Sequence, residues 1–168
     1  MVCSTEKEFM KFYQVIDKIL KLEGGYVDDP NDRGGETKFG ISKRSHPEYD
    51  IKNITEETAR DIYLEYYWKP SKVERLDEHL RSDVFDMVIT SGQSNAIKTL
   101  QRACNSSSRC EKLTVDGRIG PNTVRESNKI DVERFRAFRT LFYAHIILKN
   151  PQQESFYVGW YNRAHSWA

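Results

Sequence analysis

The sequence has no apolar run approaching the roughly 18 residues that cross a bilayer, so stable membrane insertion is not expected. It has no low-complexity tract, and only 5 Pro and 9 Gly in 168 residues, which excludes a collagen-like, disordered or repeat-solenoid chain. Neither charge is in surplus: 26 Lys+Arg against 25 Asp+Glu supply no strong positive field, and nucleic acid is excluded as an expected partner. Residues 1–8, MVCSTEKE, lack the apolar core of a secretory signal, so the expected location is the cytoplasm until release. Cysteine is scarce and odd in number (Cys3, Cys104, Cys110), unlike a secreted disulfide framework. Whether Cys104 and Cys110 join depends on their Cα atoms coming within about 7 Å. His46, His79, His145 and His165 have no metal-ligand spacing among themselves or with the cysteines, so no metal site and no cofactor are expected.

What is present suits one compact core. The apolar share, 38%, lies below the usual range of about 45–50%, but 8 Phe, 3 Trp and 9 Tyr partly make up the shortfall. Thr5-Glu-Lys-Glu8 fits a capping box, and Phe9, Phe12, Ile16 and Ile19 follow at helical spacing until Gly24-Gly25. Residues 26–41 read as turns with a small hairpin. Thr55 caps a second helix with the stripe Ala59, Ile62, Tyr63 and Tyr66, ended by Pro70. The apolar run 84–89 suits a buried helix or a strand, with helix favoured by its neighbours. Ala96, Ile97, Leu100 and Ala103 form a further stripe, and Gly120-Pro121 starts a short helix. The longest stripe, Val132, Phe135, Phe138, Phe142 and Ile146, begins at Asp131 and needs a partner surface, for which residues 156–160 are the nearest apolar candidate. The reading is a mainly α chain forming a single compact unit over 1–168, with a small β-hairpin or turn-rich segment after the first helix.

The chemistry concentrates in residues 22–41. Glu23 ends an apolar helix, where the negative helix terminus and apolar neighbours such as Leu22 and Tyr26 disfavour ionisation. Asp28, Asp29 and Asp32 follow in a hydrated, turn-rich segment that keeps them ionised. A protonated acid beside an ionised carboxylate is the arrangement that glycoside hydrolysis uses. The alternative is an exposed helix-end glutamate next to a merely solvated acidic loop. Asp86, inside an apolar run, either caps or pairs with an arginine, or contacts substrate. Trp160, Tyr161 and Trp167 either stack on sugar faces or pack in the core. Residues 115–121 form first of all a turn, with glycan contact by Asp116 or Arg118 as the second reading.

Glu23-Gly-Gly-Tyr26, then Asp29-Pro30, Asp32, Gly34-Gly35, Thr37 and Gly40-Ile41, resemble the signature of glycoside hydrolase family 108, lysozyme-like N-acetylmuramidases that cleave peptidoglycan. Leu100-Gln-Arg-Ala103, Val115-Asp-Gly-Arg-Ile-Gly-Pro121 and Gly159-Trp-Tyr-Asn-Arg163 are similar to that family's C-terminal peptidoglycan-binding region. The resemblance implies a lysozyme-like catalytic part over residues 1–92 and a helical peptidoglycan-binding region over 93–168, in a monomer. It also implies Glu23 as the catalytic acid. Phage-type lysozymes place an Asp after eight intervening residues and a Thr after five more; here Asp32 follows Glu23 with eight between, and Thr37 follows Asp32 with four. Asp32 is then the second carboxylate, with Asp29 its competitor, and Thr37 a water-positioning hydroxyl. Asp28 stands where family members more often have Asn. Substrate binding falls to Tyr26, Asp29, Asp86 and Trp160. The expected activity is hydrolysis of the β-1,4 bond between N-acetylmuramic acid and N-acetylglucosamine by a phage-type endolysin. A lytic transglycosylase or a non-catalytic peptidoglycan-binding module is the alternative.

Overall fold

The computed structural model describes residues 4–22, 25–28 and 35–166, with side chains from residue 9 onward except residue 22. The chain is mainly α-helical and divides into two compact units, residues 1–70 and 71–168. Among the described residues, no helix is long and apolar enough to cross a membrane.

In the first unit, α1 (Ser4–Leu22) buries Phe12, Val15, Ile16, Ile19 and Leu20. Two details differ from the sequence reading. The helix already runs at Ser4, which puts Thr5 inside it, and Phe9 lies outside the buried face at 44% exposure. Phe12 meets the Trp68 ring edge-on, with centroids 5.4 Å apart. After α1 comes the expected hairpin, β1 (Thr37–Lys38) antiparallel to β2 (Ile41–Ser42). Its tip places Phe39 at φ 52° and Gly40 at φ 74°, the left-handed pair that a tight two-residue hairpin requires. A phenylalanine is costly there. The Tyr63 hydroxyl donates to the Phe39 carbonyl at 2.8 Å and secures the turn.

α2 (Glu56–Tyr63) starts as expected, the Thr55 hydroxyl accepting from the Thr58 amide at 3.1 Å. It then widens into a π-helical turn, Leu64–Trp68, before closing as α3 (Lys69–Ser71). The wide turn rotates later side chains out of the 3.6-residue register. Trp68 is buried, whereas Tyr66 is 51% exposed, contrary to the expected stripe. Pro70 lies within α3 rather than ending α2.

The second unit contains α4 (Glu78–Ser91), α5 (Gln93–Asn105), α6 (Pro121–Ser127), α7 (Val132–Lys149) and α8 (Tyr157–His165). The run 84–89 is helical, and Asp131 caps α7 by accepting from the Arg134 amide at 2.7 Å. α4 packs on α5 and α7, and α7 on α5 and α8. The face that α7 buries is Phe135, Arg136, Arg139 and Tyr143. Of the expected stripe only Phe135 is fully covered; Val132, Phe138, Phe142 and Ile146 are half-buried. The C-terminal segment does reach α7, but through Trp160 on Tyr143, with centroids 5.2 Å apart.

Candidate active site and peptidoglycan region

Glu23, Asp29 and Asp32 lie outside the described residues; the described stretches nearest to them are 4–22, 25–28 and 35 onward. α1 delivers the chain to Glu23, since Leu22 is its last residue. Downstream, Val27 and Thr37 exchange two backbone hydrogen bonds of 2.8 Å each, which clamps the stretch after Glu23 against the hairpin. Tyr26, next to Val27, thereby lies close along the chain to the bridge that Val27 makes with Thr37.

The Thr37 hydroxyl donates to the Gly35 carbonyl at 3.3 Å, a weak tie that leaves its oxygen able to accept. Desolvation, then the Asp28 and Glu36 charges, a hydrogen bond to Asp28 and the Asp50 charge push the Tyr26 phenol above its ordinary value. Tyr26 thus stays a neutral hydroxyl donor among three carboxylates. Glu36 and Asp50 were not singled out by sequence, because nothing in local spacing links them to Tyr26. A cavity of about 370 Å³ in the same unit is bounded by Asp17, Leu20 and Lys21 of α1, by Phe39 at the hairpin tip, and by Glu56 and Arg60 of α2. Arg60 donates to both Asp17, at 3.1 Å, and Glu56, and so fixes one wall.

A second cluster in this unit also escaped the sequence reading. His46 is buried, its Nε2 2.9 Å from the Tyr67 hydroxyl and its Nδ1 3.7 Å from the Glu48 carboxylate. A hydrogen bond to Tyr49, with the Tyr49 and Glu48 charges, pushes the Tyr66 phenol up to about 12. The cluster ties the loop after β2 to the π-helical turn. Only that turn, invisible to a 3.6-residue pattern, brings Tyr66 and Tyr67 to His46.

Asp86 and Trp160, assigned to substrate binding, belong to the second unit. Asp86 is fully buried; Arg139 reaches one oxygen at 2.5 Å and Arg163 the other at 2.8 Å, so no face remains for a sugar. The arginine-pairing alternative is the one observed. Trp160 is half-buried and engaged with the rings of Tyr143 and Phe156, the latter stacked at 6.0 Å.

Two of the three motifs of the C-terminal half, residues 100–103 and 115–121, join in one supporting framework. Gln101 is 1% exposed; its amide nitrogen donates to Asp116 at 2.7 Å and to the Arg118 carbonyl at 3.1 Å, and its oxygen accepts from the Gly117 amide at 2.9 Å. Gly117, at φ 78°, has Ser94 Oγ only 3.1 Å from where a Cβ would stand, so a larger residue would break the turn. The Gln101 hydrogen bond and the Arg118 amide hold the Asp116 carboxyl below its usual range. Asp116 therefore shapes the turn, in agreement with its first reading.

Comparison with known proteins follows this division of the sequence. The family model described as Glycosyl hydrolase 108 matches residues 16–92, and the one described as Predicted Peptidoglycan domain matches residues 95–165. No curated protein matches the chain. Among solved structures, the chain is similar to SagA of Brucella abortus, with 27% identity and a TM-score of 0.73 over 91% of this chain and 88% of that one. A match to a glycosyl hydrolase model is thus followed by a match to a peptidoglycan-domain model, as the sequence motifs implied, and the two support a role in hydrolysing or binding peptidoglycan.

Proposed function

We propose, from a chain that carries a Glycosyl hydrolase 108 region at residues 16–92 and a predicted peptidoglycan domain at 95–165, that it is an N-acetylmuramidase hydrolysing the β-1,4 bond between N-acetylmuramic acid and N-acetylglucosamine. The observation that carries the reading is the glycosyl hydrolase match across the whole Glu23 to Ile41 stretch. Glu23, following directly on α1, gives its proton to the glycosidic oxygen as the bond to the anomeric carbon breaks. Water adds to that carbon, oriented by Asp32 and by the Thr37 hydroxyl, and returns a proton to the site. Tyr26, held neutral, is positioned to donate to substrate. The cavity beside the last turns of α1 supports a ligand-sized opening on this side of the unit.

A phage-type endolysin, retained in the cytoplasm until release and then lysing the wall, is the setting we propose for this activity. The near match to the carboxylate spacing of phage-type lysozymes supports it.

The test is digestion of purified sacculi followed by mass spectrometry of the released muropeptides. Reducing N-acetylmuramic ends are expected, and Glu23→Gln should slow their release by the roughly 10²–10⁴-fold typical of acid catalysis. Products ending in 1,6-anhydro sugars would identify a lytic transglycosylase. Wall binding without any product would leave a non-catalytic module.

A further inference from the structure

The longest apolar stripe in the sequence is not covered by the core of its unit. α7 turns Phe135, Arg136, Arg139 and Tyr143 inward, so Phe138, Phe142 and Ile146 form the floor of a groove against α5, with a volume of about 440 Å³. Its other walls bring in Arg102, His145 and Lys149. Among the described residues, no aspartate or glutamate lines it, and neither Arg102 nor Lys149 has an ion-pair partner. His145 donates from Nδ1 to the Leu141 carbonyl at 2.8 Å, which leaves Nε2 available to a ligand. The Leu100-Gln-Arg-Ala103 motif divides its labour here: Gln101 points inward and holds the 115–121 turn, while Arg102 is exposed on the groove.

A surface that selects sugar rings needs acceptors for hydroxyl protons, which carboxylates supply. This groove holds no carboxylate: beside the amide of Asn95 and the hydroxyl of Thr99, it sets cations over an apolar floor. It complements a ligand that alternates carboxylates with small apolar groups. Peptidoglycan contains such a component in its stem peptides, where acidic residues lie between alanines. We propose that the α5/α7 groove binds the acidic stem peptide of peptidoglycan, with Arg102 and Lys149 on its carboxylates and Phe138, Phe142 and Ile146 under its alanine methyls. This rests on the peptidoglycan reading of residues 95–165 but not on catalysis. The second unit would then hold the wall by its peptides, leaving the glycan strand to the first.

The experiment is titration of the ¹⁵N-labelled full chain with the free tripeptide L-alanyl-D-glutamyl-diaminopimelate. The same peptide with amidated carboxyls, chitotetraose and anionic phospholipid vesicles are titrated in parallel. The tripeptide is expected to shift amides of α5 and α7 around Arg102, His145 and Lys149. The double variant Arg102→Ala, Lys149→Ala should weaken it by roughly tenfold or more. Both side chains are exposed and unpaired, so its melting curve should match that of the parent. No shifts with the tripeptide, equal shifts with the amidated peptide, the same shifts with chitotetraose, or groove perturbation by vesicles alone would each overturn the proposal. The tripeptide contains no glycosidic bond, so its binding is read independently of any hydrolase activity. Absence of muropeptides from sacculi would therefore sink the hydrolase reading while leaving the groove result standing.

Discussion

Asp86 on α4 and Arg139 on α7 are both fully exposure-free, and their side chains meet at 2.5 Å. Arg163 of α8 closes on the second Asp86 oxygen, and one turn along α4 the Asp83–Arg136 pair repeats the arrangement at 2.7 Å. Two buried ion pairs thus join α4 to α7. Such pairs add little net stability over apolar isosteres, but removing one partner strands a charge in the interior.

Asp86→Leu should therefore destabilise the chain by about 3–5 kcal/mol, because Arg139 and Arg163 lose their anion. Adding Arg139→Met should recover part of that loss. Urea unfolding of the single and double variants checks both; equal midpoints for the single variant and the parent would contradict the structural role assigned to Asp86.

Glu126 supports an acid-stability prediction. It accepts from Lys129 at 2.7 Å, from Arg125 at 2.8 Å and from the Glu111 amide at 2.8 Å; these interactions lower its carboxyl to about 2, from an ordinary 4.5. A depressed carboxylate stabilises the folded state above its unfolded value and loses that contribution as pH falls through the folded value. The melting temperature should drop between about pH 4.5 and 2, and Glu126→Gln should flatten that part of the profile. An unchanged slope in the variant would show that another carboxylate controls it.

How far these features could be read in advance differs by type. Thr55 and Asp131 were legible as helix starts, since a cap is a local hydrogen bond between residues three apart. The pairing of Asp86 with an arginine was legible as a kind of contact, because an apolar run cannot hold a bare charge, but its partners lie 53 and 77 residues away. Tyr66 was misplaced because the π-helical turn changes the period. The stripe on α7 was legible as apolar yet not as a groove: the side chains that win the interior include two arginines, whose burial depends on carboxylates from α4. In the first unit, the Val27–Thr37 bridge beside Tyr26 was not legible from spacing, and Glu36 and Asp50 join Tyr26 only through the tertiary fold.

The two candidate aspartates should separate by kinetics. Asp32→Asn is expected to slow sacculus digestion strongly with wall binding retained, and Asp29→Asn to act mildly or through folding, because Asp29 precedes a proline. The reverse order in two folded variants would make Asp29 the second carboxylate.

Thr37→Val removes a hydroxyl while keeping shape, and among the described residues that hydroxyl is tied to the Gly35 carbonyl by a weak 3.3 Å contact. Melting should change little and turnover should fall. Unchanged turnover would remove Thr37 from the water-positioning role.

Burial, followed by the Cys110 and Glu126 charges, pushes the Cys104 thiol up to about 12. At pH 8 only about one part in ten thousand is thiolate. Iodoacetamide should spare Cys104 in the native chain and modify it after denaturation, as followed by peptide mass spectrometry. Equal labelling in both states would contradict the buried, protonated thiol.

The hydrolase match ends at residue 92 and so includes α4, yet α4 packs within the unit that runs to residue 168. Recombination between related genes at the sequence boundary near residue 93 would give each product an α4 from one parent and an α7 and α8 from the other. Asp83 and Asp86 would then face arginines selected in a different lineage. Only parents that share those four or five charged positions could exchange their wall-binding halves, so the inheritance of this pair of regions is expected to be joint rather than piecemeal.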